Sequence, residues 1–266
     1  LRVGIVARPE IPGVLKLVRK VLGLLAKEEV LLEQKLARKL GKRGAAVQTL
    51  RKADAIVTIG GDGTVLFAQQ LAPGVPTLGI NIGGRGFLAE VKPGEAQRAL
   101  RMLVVGKLPI IERGRLAGEV AGKRLPDALN DAVVCTAKLG KTISLRVSVD
   151  GKVAMDMRGD GVIVATTTGS TAYALAAGGP AIDPRLPAFV VVPVCPSHPR
   201  VHPLIVPTDS RIDVKPTRPE REGLVIVDGR LAAKIRYGAK LAFYRSPKPA
   251  RFFGWGEFYR KLREKL

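Results

Sequence analysis

Residues 54–71 read DAIVTIGGDGTVLFAQQL, and this stretch decides the fold. Asp54–Ile59 is a short, mostly apolar run that predicts a buried strand. Gly60, Gly61 and Gly63 then permit a tight turn and close approach of the backbone to a ligand. Val65–Leu71 predicts a helix opening directly after that turn. The free N–H groups of a helix start favour phosphate oxygens. Asp62 is the informative member. A carboxylate beside a phosphate cradle is repulsive unless it serves a hydroxyl or a metal, so Asp62 reads either as the base for a sugar hydroxyl or as a helix cap. No Gly-x-x-x-x-Gly-Lys-Ser/Thr segment is present, which excludes a P-loop. The spacing Gly61-x-Gly63-x-x-Leu66 lacks the third glycine of the dinucleotide fingerprint, which argues against an ordinary dehydrogenase.

Outward from this stretch the same alternation continues. Arg2–Ala7 reads as a first strand and Pro76–Asn81 as another. Leu15, Val18, Leu22 and Leu25, continued by Leu32, Leu36 and Leu40, predict one helical face that Gly41 and Gly44 close. Glu95–Val105 predicts a short amphipathic helix. These elements predict an α/β, Rossmann-like domain over residues 1–108 with parallel strands. Past Pro109 the pattern shortens to period two, with Leu145, Val147 and Val149 opposite Ser144, Arg146 and Ser148. Asp150-Gly151 is a hairpin signal. Strands are expected at Val162–Ala165, Phe189–Val194, Arg211–Val214, Leu224–Val227 and Leu231–Ile235, so residues 109–245 predict a β-rich, sandwich-like domain. Residues 246–266 carry Trp255, Phe258, Leu262 and Leu266 on one helical face and are expected to pack back on the first domain.

The chain has 266 residues, with 44 Lys plus Arg against 23 Asp plus Glu, giving a net charge of +21. An apolar fraction of 46% excludes a disordered chain. Two cysteines exclude a disulfide scaffold, and Cys135 and Cys195 are expected to pack as small apolar residues. A reducing, cytoplasmic setting follows. No secretory leader is read, and with Leu1 in place of Met a start further upstream is an open expectation. Residues 161–182 carry no charge, but their glycines, proline and hydroxyls read as strand, turn and helix, not as a membrane span. His198 and His202 are four apart, but Pro199 and Pro203 argue against a helical metal pair there. The dispersed basic residues favour anionic partners without naming one.

Two further segments carry chemistry. After Asp160-Gly161 and a strand comes Thr166-Thr167-Thr168-Gly169-Ser170-Thr171-Ala172-Tyr173, with five Ser and Thr hydroxyls in eight residues. These offer uncharged donors and acceptors, and Tyr173 offers a face for a base. A Thr-rich strand end with an ordinary helix cap is the alternative. Asn130-Asp131 precedes Val133 and Val134. The amide can read an adenine edge and the carboxylate can hold ribose hydroxyls, or the pair is only a turn.

Together these segments resemble the NAD kinase family, which phosphorylates the adenosine ribose 2′-hydroxyl of NAD with ATP or polyphosphate. The matched blocks are GGDGT (60–64), GINIGGRGFLAE (79–90), ALNDAVV (128–134), DGVIVATTTGSTAYALAAGGP (160–180) and VDGR (227–230). The resemblance implies an NAD kinase/diacylglycerol kinase-like fold with the site in a cleft between its two domains. It makes Asp62 the catalytic residue and puts Gly61, Gly63 and Thr64 in a phosphate-facing loop. Phe87 would line the NAD pocket, and Asn130 and Asp131 would contact the adenosine. Arg158 and Asp160 would lie near the second nucleoside, often across a subunit contact. Thr168, Thr171, Ala172 and Tyr173 would form the adenine and ribose wall. Mg²⁺ or another divalent cation is implied with the donor, without protein metal ligands. A homo-oligomer, dimer or tetramer, is implied; nucleic acid and membrane partners are not.

The sequence also departs from the family pattern. Thr167 stands for Pro, Asp131 for Glu, Arg85 for Leu and Arg230 for Gln, and Cys195-Pro196-Ser197-His198 inverts the usual last two residues. Asp131 is a methylene short for the expected ribose contact. Two rival readings remain. A lipid kinase shares GGDGT, and a non-enzymatic nucleic-acid binder would explain the charge.

Overall fold

The computed structural model describes residues 1–83, 86–197, 201–219 and 222–265. The chain divides into two units, Leu1–Glu112 with Ala250–Leu266, and Arg113–Pro249. In chain order the first stretch holds β1 (Arg2–Ala7), α1 (Val14–Leu24), β2 (Glu29–Leu32), α2 (Gln34–Lys39) and α3 (Val47–Leu50). It continues with β3 (Ala55–Gly60), α4 (Asp62–Leu71), β4 (Thr77–Asn81), α5 (Ala96–Val104) and β5 (Ile110–Arg113). The middle stretch holds β6 (Leu116–Val120), β7 (Lys123–Arg124), β8 (Asp131–Thr136), β9 (Ile143–Val149), β10 (Lys152–Gly159), β11 (Gly161–Thr166) and α6 (Tyr173–Ala176). It ends with β12 (Ala188–Val194), β13 (Leu204–Pro207), β14 (Ile212–Pro216), β15 (Gly223–Val227), β16 (Arg230–Ile235) and β17 (Leu241–Arg245). The chain then returns to the first unit with β18 (Ala250–Phe253) and α7 (Phe258–Lys265).

The first unit is built on one sheet of order β2-β1-β3-β4-β18-β5. Its pairs β1–β2, β1–β3, β3–β4 and β4–β18 are parallel. Parallel strands need both faces covered, and the side chains alternate accordingly. Val3, Ile5, Ala55, Val57, Ile59 and Ile80 pack with Val14, Val18 and Val21 of α1 and Ala96, Leu100 and Leu103 of α5. Val6 and Ile56 face the other way, onto Leu50 of α3 and Ala68 of α4. Loops leaving the carboxyl ends of β1, β3 and β4 therefore emerge on one edge, where open α/β sheets place ligands.

Three expectations fail in this unit. The predicted continuous helical face from Leu15 to Leu40 is interrupted, because Glu29–Leu32 pairs with β1, Arg2 opposite Glu29. Arg2 Nε donates to Glu29 Oε2 at 3.0 Å. Pairing across the sheet satisfies backbone groups that side-chain spacing does not register, and Leu32 and Leu36 are buried in either arrangement. Second, the helix after the Gly-rich turn begins at Asp62, three residues earlier than the apolar pattern suggests. Third, α7 buries Lys261, while Phe258 and Leu262 are only half-buried.

The second unit is two antiparallel sheets, β10-β9-β14-β17-β6-β7 and β13-β12-β11-β8-β15-β16. Their inner faces share one core that includes Leu145, Val147, Val164, Phe189, Val214, Val225 and Phe243. Val133, Ile163 and Val190 point to the outer face of the second sheet, where Ala174 and Ile182 cover them. Asp150 and Gly151 turn the β9–β10 hairpin with φ of 49° and 78°, as the Asp-Gly signal requires. Cys195 differs from its expected role: it is exposed, at φ 45°, because its strand has ended at Val194.

Candidate functional site

In the first unit, Gly60 has φ 157°, and a Cβ there would lie 2.2 Å from Thr64 Oγ1. Only glycine lets the chain turn from β3 into α4 over that hydroxyl. Thr64 is buried and its Oγ1 has no hydrogen-bond partner among the described residues. Gly61 faces open space, and Gly63 lies under Arg8, whose Nη2 donates to the Gly63 carbonyl at 3.4 Å.

Asp62 is the first helical residue and its side chain does not cap its own helix. The carboxylate instead accepts from three backbone amides of the loop after β4. Phe87 N–H donates to Oδ2 at 2.6 Å, while Leu88 and Ala89 N–H donate to Oδ1 at 3.0 Å each. A carboxylate offers about four acceptor positions, so among the described residues three are taken and one remains, on Oδ2. A Cβ on Gly86 would stand 2.5 Å from Asp62 Oδ1, so the loop closes over the carboxylate only with glycine there. Gly61, Asp62, Gly63, Thr64 and Phe87 are thus one cluster.

In the second unit, the turn entering β8 carries Asn130 and Asp131. Asp228 organises it: Oδ2 accepts from Leu129 N–H at 2.9 Å, and Oδ1 from Asn130 and Asp131 N–H at 2.8 and 3.2 Å. Burial pushes the Asp228 carboxyl up, while those three amides and buried Arg115 pull it down. The Asn130 carbonyl accepts from Thr166 N–H at 2.9 Å, and a Cβ on Gly169 would fall 2.0 Å from that oxygen. Gly169 therefore lets the hydroxyl-rich turn lie directly on Asn130. Ser170 Oγ ties the turn shut, donating to the Thr167 carbonyl at 2.7 Å and accepting from Ile182 N–H at 3.0 Å. Thr168 Oγ1 is buried without a partner among the described residues, and Thr171 Oγ1 donates to the Thr168 carbonyl.

Asp131 is almost fully buried, and its pKa is raised to about 7, first by that burial and then by the charge of Asp228. Tyr173 follows Ala172 and is half exposed. Burial and the neighbouring Cys135, Cys195, Asp160 and Asp131 push its phenol up. Asn130, Asp131, Thr168, Thr171 and Ala172 thus gather at one end of the second sheet, whereas Asp160 lies at the other end of β11, its carbonyl accepting from Thr136 N–H, and Tyr173 senses both Asp160 and Asp131. Arg158 does not join them. Its Nε donates to Thr142 Oγ1 at 2.9 Å, and it lines a 540 Å³ hollow with Arg146, Asp156, Ser197, Thr217 and Arg218.

Arg85 and His198 lie outside the described residues. His202 is exposed and outside regular structure, and Arg230 opens β16 on the surface. Thr167 Oγ1 is within 3.5 Å of the Pro184 carbonyl. Sequence reasoning missed Gly86, Asp228 and Arg8. The VDGR block contained the signal for Asp228: an Asp-Gly hairpin whose Asp adopts φ 46° and turns its carboxylate inward. Arg8 was legible only as the residue following a first strand.

Comparison with known proteins adds names to this geometry. Residues 3–108 match the model of the ATP-NAD kinase N-terminal domain, and residues 129–254 that of the ATP-NAD kinase C-terminal domain. The chain is similar to an NAD kinase of Methanothermobacter thermautotrophicus, 37% identical over 273 residues, covering 100% of this chain and 96% of the relative. An NAD kinase of Thermococcus gammatolerans is 40% identical over 259 residues, covering 95% and 93%. Among solved structures, an NAD kinase from Archaeoglobus fulgidus in complex with ATP superposes with a TM-score of 0.81 at 28% identity, covering 99% of each chain. Yeast NADH kinase complexed with NADH shares the fold, with a TM-score of 0.91 at 23% identity, covering 99% of this chain and 86% of that one.

Proposed function

The chain belongs to the NAD kinase family, and from that premise we propose that it transfers a phosphoryl group from ATP or polyphosphate to the 2′-hydroxyl of the adenosine ribose of NAD, giving NADP. The observation that carries this reading is the Asp62 carboxylate, held by three amides in a Gly-rich turn with one acceptor position left. Such a group suits a single hydroxyl. The 2′-oxygen attacks the terminal phosphorus, the bond to the leaving phosphate oxygen breaks, and the hydroxyl proton passes to Asp62 Oδ2. Phosphoryl transfer relies on positioning and charge neutralisation, which fits a fixed carboxylate better than a mobile one.

The other residues divide the work. Gly61, Gly63, Thr64 and the α4 N-terminus face the donor phosphates, with Arg8 as the nearby cation. Phe87 lines the NAD pocket. Asn130 reads the adenine, Asp131 takes ribose hydroxyls, and Thr168, Thr171, Ala172 and Tyr173 form the wall. Arg158, engaged elsewhere in its own unit, and Asp160 are assigned to the second nucleoside of a neighbouring copy in a dimer or tetramer. Among the described residues no group of three His, Cys, Asp or Glu side chains is placed to hold a metal. The divalent ion is assigned to the substrate, as magnesium–ATP or magnesium–polyphosphate. No described helix is long and apolar enough to cross a membrane; a cytoplasmic setting is part of the proposal.

The test incubates the protein with NAD and Mg²⁺ plus either ATP or polyphosphate, and measures NADP. Formation of NADP with at least one donor is expected. No NADP, with phosphorylation of a diacylglycerol or salt-sensitive nucleic-acid binding instead, overturns the reading.

A further inference from the structure

The loop that grips Asp62 is itself gripped from behind. The end of this loop lies beside β4 in the same direction, Val91 forming a parallel bridge to Ile80: Asn81 N–H donates to the Val91 carbonyl at 2.8 Å, and Val91 N–H to the Gly79 carbonyl at 2.9 Å. A Cβ on Gly79 would lie 2.7 Å from Ala89 Cα, so the loop lies flat on that strand. A further restraint comes from the end of the chain. Glu90 Oε2 accepts from Gly256 N–H at 2.7 Å and Trp255 N–H at 3.2 Å, ahead of α7. Glu90 Oε1 pairs with Lys261 Nζ, which also donates to the Phe87 carbonyl at 3.3 Å. Both side chains are largely buried, at 11% exposed for Lys261 and 16% for Glu90.

The contacts form one series. Lys261 holds the carbonyl of Phe87, whose N–H makes the shortest bond to Asp62. Glu90 follows directly on Ala89, whose N–H makes another. A charged pair this far from water is costly unless its geometry is satisfied, and here each partner has further hydrogen bonds. Burying a lysine in the last helix serves no apolar packing, since the apolar positions Phe258 and Leu262 are less buried. We infer that Lys261 and Glu90 are positioning residues for phosphoryl transfer. They lock the 87–89 amides in the arrangement that aims the Asp62 carboxylate. The inference rests on the proposed function for its kinetic consequence but not for its structural one.

Two readouts separate these. In the protein without substrate, Lys261→Met is expected to raise hydrogen exchange at the Phe87, Leu88 and Ala89 amides at least tenfold. In assays of NADP formation it is expected to lower kcat ten- to a hundredfold, the range that loss of near-attack alignment carries, with KM for NAD and ATP within threefold. Lys261→Arg should restore both. Glu112→Gln is the control, since it releases the exposed Arg251–Glu112 pair that ties β18 to β5 without touching the loop, and should change neither. If Lys261→Met does not fold, Glu90→Gln takes its place, keeping an acceptor for the Trp255 and Gly256 amides. Unchanged exchange and kcat overturn the inference, as does an equal effect from Glu112→Gln. Absence of NADP from the parent protein with either donor overturns the proposed function, and the exchange measurement still decides whether Lys261 and Glu90 hold the 87–89 amides.

Discussion

Asp131→Asn exchanges a buried carboxyl for an amide of nearly the same size. In the folded chain that carboxyl has a pKa of about 7, against an ordinary 3.8, with burial the larger cause and the Asp228 charge the second. The folded state thus holds the proton more tightly than the unfolded one. Stability from this group is fully present below about pH 4, falls as pH rises toward 7, and is flat above. A difference of about 3 pK units at 1.36 kcal/mol each amounts to ~4 kcal/mol across that window. The asparagine variant never ionises and escapes this loss. At 2–4 °C per kcal/mol for a chain of this size, its unfolding midpoint should exceed the parent's by roughly 10 °C at pH 8 and by almost nothing at pH 4. The assay is thermal unfolding of both proteins from pH 4 to pH 8. A gap that is constant with pH, or that closes as pH rises, refutes the assignment of an uncompensated buried charge to Asp131.

Four further outcomes follow from the same geometry. Asp62→Asn should leave NAD binding largely intact and lower turnover by orders of magnitude; near-normal turnover removes Asp62 as the base. Gly86→Ala puts a methyl 2.5 Å from Asp62 Oδ1 and should lower kcat about tenfold or more by displacing the loop, read from steady-state kinetics beside an unchanged unfolding midpoint. Tyr173→Ala should weaken NAD affinity more than it disturbs folding, and calorimetric titration showing unchanged affinity takes Tyr173 out of the wall. With a net charge of +21 and polyanionic substrates, kcat/KM should fall steeply with ionic strength; a flat dependence removes electrostatic attraction from the account.

The layered organisation was legible because it rests on short-range pattern. Apolar runs marked β1, β3 and β4 in the first unit and β9, β11, β12, β14, β15 and β16 in the second, and Asp150-Gly151 marked a hairpin. Errors fell where a longer-range partner outweighed local spacing. Glu29–Leu32 became a strand because β1 offered an edge. Cys195, expected in the core, is exposed because β12 stops one residue before it. The candidate residues were found as clusters of chemistry, glycines with an aspartate, hydroxyls with a tyrosine, and an amide with a carboxylate. Their hydrogen-bond partners were not legible at all.

What the sequence determined by itself was the strand–helix alternation of the first domain, the period-two pattern of the second, the Gly-rich turn from strand to helix, and the residue types able to handle a nucleotide and a phosphoryl group. Only the tertiary structure decided what each carboxylate does. Asp62 answers to amides 25–27 positions along the chain, Asp228 to amides 97–99 positions back, and Glu90 to a lysine 171 positions on. Periodicity reports which way a side chain faces along a few turns or pleats. A carboxylate's role depends on which donors converge on it in space, and that is set when distant segments pack.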